Sequence, residues 1–121
     1  MVPAHGQQMT VLLVDDDAPT RRVISLIVRQ AGYELAEALS REDALVALEG
    51  SQPAALLMDY MMPGLEPREF IDQARARGFS GPIILCTALS SPPDLPVEGV
   101  LLKPFDPDDL LAKLEELLPN P

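Results

Sequence analysis

One cysteine, Cys86, is all that the 121 residues contain, so no disulfide can form within the chain. A reducing compartment, the cytoplasm, is the expected location. Long apolar runs are missing too. None approaches the roughly 18 residues that a membrane span requires, so no membrane association is expected. Met1 to Thr10 carry no basic flank and no apolar stretch, and do not read as a signal peptide. Residues 1–8 are expected to form a flexible N-terminus. Basic residues are scarce: 9 Lys and Arg stand against 19 Asp and Glu, for a net charge of −10. Such a surface repels phosphates, which argues against direct nucleic-acid binding and against anionic membranes.

What is present suits one globular domain spanning 1–121. The length allows a real core, and a hydrophobic fraction of 47% argues against disorder. Short apolar runs at Thr10–Val14, Ala54–Met58, Pro82–Cys86 and Val100–Leu102 are bounded by turn or charged residues. Their continuity predicts strands buried on both faces of a parallel sheet. A weaker alternating run, Tyr33–Glu37, predicts an outer strand.

Helical patterns lie between these runs. Val23, Ile24, Ile27, Val28 and Ala31 recur at helical spacing, with Pro19 near the start and Gly32 past the end. Ser40 to Asp43 forms a variant capping box, and that helix stops at Gly50. Pro67 opens a third helix that turns Phe70, Ile71 and Ala74 inward and closes at Gly78. Acidic residues at 106, 108 and 109 begin the last, where the helix dipole favours them. Its Leu110, Leu111, Leu114, Leu117 and Leu118 form one stripe. The alternation predicts an α/β fold with a doubly wound parallel sheet. Between Thr87 and Val100 the pattern breaks. Prolines at 92, 93 and 96 would remove donors and clash in a helix interior, so an extended or single-turn connection is expected.

In a doubly wound sheet, ligands bind beyond the carboxyl ends of strands where strand order reverses. The first strand ends at Asp15-Asp16-Asp17 and the third at Asp59, while the fourth and fifth deliver Thr87 and Lys103. Carboxylates brought that close repel unless a cation neutralises them. A hard ion with oxygen ligands fits, Mg²⁺ foremost and Mn²⁺ as the alternative. A carboxylate can also act as nucleophile and form an acyl phosphate. Thr87 and Lys103 could then bond phosphoryl oxygens.

The segments Val11–Asp17, Leu57–Gly64, Ile83–Ala88 and Leu101–Phe105 closely resemble the receiver domains of bacterial response regulators, the CheY-like superfamily of two-component signalling. The match runs from about Thr10 to Leu118. The resemblance implies a five-stranded flavodoxin-like sheet of order 2-1-3-4-5. It makes Asp59 the phosphoacceptor, Asp15 and Asp16 the acidic pair, and Asp16, Asp59 and the Met61 carbonyl the metal ligands, with Asp15 acting through water. Thr87 becomes the switch hydroxyl, Lys103 the phosphate-contacting lysine, and Lys103-Pro104 a candidate cis bond. A histidine kinase or histidine phosphotransfer protein would donate the phosphoryl group, and an unknown downstream protein would read it.

Several positions depart from the family pattern. The segment after Thr87 falls where a fourth helix is normal, so that helix is expected to be absent or vestigial. Val100 replaces the aromatic of the switch pair. Met61 and Leu89, which flank the phosphoryl group in this family, are both apolar, and slow hydrolysis is expected because neither can orient water. Blander roles suit other residues: Asp17 as a helix cap, Cys86 as an inert buried residue, Tyr60 as structural, and His5 as part of the N-terminus. The competing functions are a phosphorylation-independent scaffold and an aspartyl-phosphate phosphatase. The phosphatase needs a second acid two residues after its nucleophile, where Met61 stands.

Overall fold

The computed structural model describes residues 9–118; the expected flexible segment 1–8, with His5, lies outside the described residues. Five strands alternate with four helices: β1 Thr10–Val14, α1 Ala18–Gln30, β2 Glu34–Ala38, α2 Arg41–Gly50, β3 Ala55–Asp59, α3 Pro67–Ala76, β4 Ile83–Thr87, β5 Gly99–Leu102 and α4 Pro107–Leu117. All neighbouring strands pair in parallel, in the order β2-β1-β3-β4-β5. Each parallel connection must cross over the sheet, and successive strand residues face opposite sides.

The core is accordingly divided by the sheet. Leu12, Val14, Leu56, Met58, Ile83 and Leu85 pack with α2 and α3 on one face. Val11, Leu13, Leu57, Ile84 and Cys86 pack with α1 and α4 on the other. β3 and β4 are buried along their whole length, which explains their unbroken apolar character. Each fully buried Leu, Ile or Phe contributes on the order of 1.5–3 kcal/mol.

The helix ends follow their residues. Asp17 caps α1, its carboxylate accepting the Thr20 N–H at 3.0 Å. Ser40 caps α2 through the Asp43 N–H at 3.0 Å, and the Asp106 N–H donates to the Asp109 carboxylate at 3.0 Å at the start of α4. Gly32 and Gly78, just beyond α1 and α3, have φ of 97° and 94°, a conformation costly for a side chain with Cβ.

Three differences from expectation stand out. β2, β3 and β4 each run one residue later than the apolar runs suggested. At β3 and β4 polar ends stay in the ladder, since the Tyr60 N–H donates to the Cys86 carbonyl at 2.9 Å and the Lys103 N–H to the Thr87 carbonyl at 2.8 Å. Val23, expected to face inward, is 59% exposed, because α1 packs by its Ile24 and Val28 side. The expectation that the fourth helix is absent or vestigial is not supported as a count, because the described residues form four helices. The segment 88–98 itself carries no helix. It is held by the Glu98 N–H to the Ile83 carbonyl at 3.0 Å, while Leu95 and Val97 pack against the core.

Candidate metal centre

The chain leaves β1 toward one edge of the sheet and later returns on its other side as β3, so strand order reverses between them. The register pairs Val14 with Met58, which brings Asp15 level with Asp59 at the carboxyl ends. Asp15, Asp16 and Asp59 each offer a carboxylate oxygen, and these oxygens lie within 4.8 Å of one another. Asp15 and Asp59 are buried, at 2% and 7% exposure, while Asp16 is open to solvent.

Asp15 accepts the Asp17 N–H at 2.9 Å. Burial pushes its carboxyl above the ordinary range, as do the charges of Asp59 and Asp16; the Asp17 hydrogen bond and Lys103 oppose this. Lys103 follows β5 at a cis peptide bond to Pro104. Its Nζ donates to Asp59 Oδ1 at 2.6 Å. Burial disfavours the ammonium, but the bond to Asp59 and that residue's charge outweigh burial and raise the Lys103 pKa. Two buried carboxylates, a third at the rim and a single ammonium leave net negative charge and spare oxygen donors. That donor set fits a hard divalent cation, of which Mg²⁺ is the natural example.

Of the remaining sequence candidates, Thr87 stands at the end of β4, the strand beside β3. Thr87 is buried, and its Oγ1 accepts the Leu89 N–H at 3.1 Å. Met61 and Leu89 expose their side chains, at 67% and 42%. Val100 is half-buried and packs against the α2–α3 side of the core. Cys86 is buried, and desolvation pushes its thiol up to about 12. No thiolate forms near neutral pH.

Two arginines were not foreseen. Arg41 is 1% exposed and donates to four carbonyls, that of Asp59 at the end of β3 and three of the loop that follows. The sequence carried a signal for it: Arg41, Ala44, Leu45 and Leu48 share the buried face of α2, at the spacing of one helical stripe. Arg21 donates to the Asp15 carbonyl at 3.0 Å and pairs with Glu37 at 3.4 Å. Its place one turn into α1 held no comparable hint.

Topology and site together define a doubly wound α/β domain of the flavodoxin-like order, with an acidic centre and a lysine at its switch point. The chain belongs to the response regulator receiver domain family of two-component signalling, whose model matches residues 11–115. The phosphate regulon transcriptional regulatory protein PhoB of Pseudomonas aeruginosa is 32% identical over 118 residues, covering 90% of this chain and 51% of PhoB. The chain spans about half the length of the curated relatives it matches. The receiver domain of a P. aeruginosa sensor histidine kinase, solved with a magnesium ion coordinated in its active-site cleft, superposes with a TM-score of 0.84 at 26% identity. That match covers 91% of this chain and 97% of the other. The response regulator TrrA of Thermotoga maritima, solved with Mg²⁺ and BeF, gives a TM-score of 0.83 at 29% identity, covering 92% and 100%.

Proposed function

We propose that Asp59 is the phosphoacceptor of this receiver, taking a phosphoryl group from the phosphohistidine of a histidine kinase or histidine phosphotransfer protein. The observation that carries this reading is the convergence of Asp15, Asp16 and Asp59 with the Lys103 ammonium, 2.6 Å from Asp59. An Asp59 oxygen forms the new bond to phosphorus. The P–N bond to the donor imidazole breaks, and its electron pair returns to nitrogen. Lys103 exchanges its bond to Asp59 for one to a phosphoryl oxygen, and the Thr87 hydroxyl bonds another. Asp16, Asp59 and the Met61 carbonyl would hold Mg²⁺, or Mn²⁺, with Asp15 acting through water. When bound, the ion supplies positive charge that offsets both the carboxylates and the transferred group.

The domain is then a substrate and a switch, with only weak self-catalysed phosphorylation and dephosphorylation. An unknown downstream protein reads its state in the cytoplasm. The helix-free segment 88–98 stands where the family resemblance puts a fourth helix, and Val100 stands for the switch aromatic. The partner surface therefore differs from the usual one. A phosphatase reading is disfavoured, since Met61 offers no second acid. A phosphate-independent scaffold is disfavoured by the intact acidic centre.

Incubation with acetyl phosphate and Mg²⁺ should add one phosphoryl group by intact mass. EDTA or Asp59→Asn should prevent it. No Mg²⁺-dependent modification would favour the scaffold, and steady turnover of phosphate esters the enzyme. In the same assay Met61→Asn combined with Leu89→Glu should shorten the lifetime of the phosphorylated form. An unchanged lifetime would remove the water-access reading of those positions.

A further inference from the structure

Arg41 is the largest of the fully buried side chains, at 1% exposure, and the phosphoryl chemistry above makes no use of it. Burying a cation costs stability unless it is well paired, and an apolar residue of similar volume is often at least as stable there. Among the described residues, no carboxylate is a hydrogen-bond partner of Arg41. Its Nη1 donates to the carbonyls of Met62 at 3.3 Å and Leu65 at 2.8 Å, and its Nη2 to those of Asp59 at 3.1 Å and Tyr60 at 2.8 Å. Asp59 ends β3, and the other three belong to the loop that leaves it. Nε has no partner among the described residues, a further cost of the arrangement.

The pattern of carbonyls is selective. From Asp59 to Met62, Arg41 holds every backbone oxygen except that of Met61. The next residue of α2 steadies the far end of the same loop: Glu42 Oε2 accepts the Leu65 N–H at 3.2 Å. A planar guanidinium is suited to this task, because its donors leave in fixed directions.

We infer that Arg41 is a positioning residue for the metal centre: by holding the carbonyls on either side, it keeps the Met61 carbonyl as the free oxygen donor beside Asp59. This rests on the reading of the acidic cluster as a Mg²⁺ site. Groups that orient metal ligands typically alter affinity by about 10–100-fold when removed. Loss of an ordinary packing residue lowers stability and leaves affinity nearly unchanged.

The test compares the unsubstituted protein with Arg41→Met, Arg41→Lys and Ser40→Ala, measuring Mg²⁺ affinity by calorimetry and the thermal midpoint with and without Mg²⁺. Ser40→Ala removes the α2 cap and should lower the midpoint while leaving Mg²⁺ affinity unchanged. Arg41→Met should weaken Mg²⁺ binding by about tenfold or more and shrink the midpoint rise that Mg²⁺ produces. Arg41→Lys should restore part of both. A folded Arg41→Met protein with the affinity of the unsubstituted chain would overturn the inference. Should neither Arg41 variant fold, the Met61 carbonyl ¹³C resonance of the unsubstituted protein decides: it must move on Mg²⁺ addition, and a fixed resonance refutes the inference. If the unsubstituted protein binds no Mg²⁺ at all, the metal-site reading falls, and this inference with it.

Discussion

Ionised Asp15 burdens the folded chain, because burial and the charges of Asp59 and Asp16 all favour its protonated form. A carboxyl whose folded pKa lies above 3.8 contributes stability that is present below 3.8 and lost as pH rises through the folded value. At neutral pH that contribution is gone, and the ionised acid lowers stability. Asp15→Asn keeps an acceptor for the Asp17 N–H and removes the charge. It should therefore raise the urea midpoint of the metal-free protein at pH 7, with the gain fading as pH falls through the folded value and gone below 3.8, and it should weaken Mg²⁺ binding. A variant no more stable at pH 7 would contradict this account of the site's electrostatics. Asp15, Asp59 and Lys103 were legible in the sequence because charged residues stood abruptly at the ends of apolar runs. Arg41 was not, because a capping box already accounted for a polar residue there, and a buried charge is rare enough to be passed over.

Among the elements, the segment between β4 and β5 departs most from the alternation elsewhere. Its prolines forbade a helix interior, and that much was readable from residue chemistry. What holds it in place was not, since it depends on a contact between distant residues. The Glu98 carboxylate accepts the Ile83 N–H at 2.8 Å and pairs with Arg75 at 3.0 Å, tying the segment to the start of β4 and the end of α3. Glu98→Ala leaves the partly buried Ile83 N–H without its acceptor. It should destabilise the domain by about 1–3 kcal/mol in urea unfolding, whereas Glu98→Gln should lose less. Equal stability of Glu98→Ala and the parent would show that the segment is held by its apolar contacts alone. Helix positions were legible from caps and from the glycines at helix ends, Gly32, Gly50 and Gly78. Strand ends were less so: at β3 and β4 apolar character stops one residue before the hydrogen-bond ladder does.

At the scale of the whole molecule, the sheet assembles the centre from residues far apart in sequence. Alternating strands and helices announced a parallel sheet with both faces covered, and the two core clusters follow from that. Alternation alone does not fix the order of strands, which came from the family resemblance and decides that the ends of β1 and β3 lie side by side. With that order, Asp15, Asp16 and Asp59 converge, and Lys103 reaches Asp59 from the far side of β4. The central claim is that this assembly directs one phosphoryl group to one carboxylate. The most direct test is to phosphorylate the protein with acetyl phosphate and Mg²⁺, reduce it with borohydride, and sequence the peptides by mass spectrometry. Reduction turns an aspartyl phosphate into homoserine at the modified position. The account predicts homoserine at position 59, dependent on Mg²⁺; homoserine elsewhere, or none in protein that carries phosphate, would contradict it.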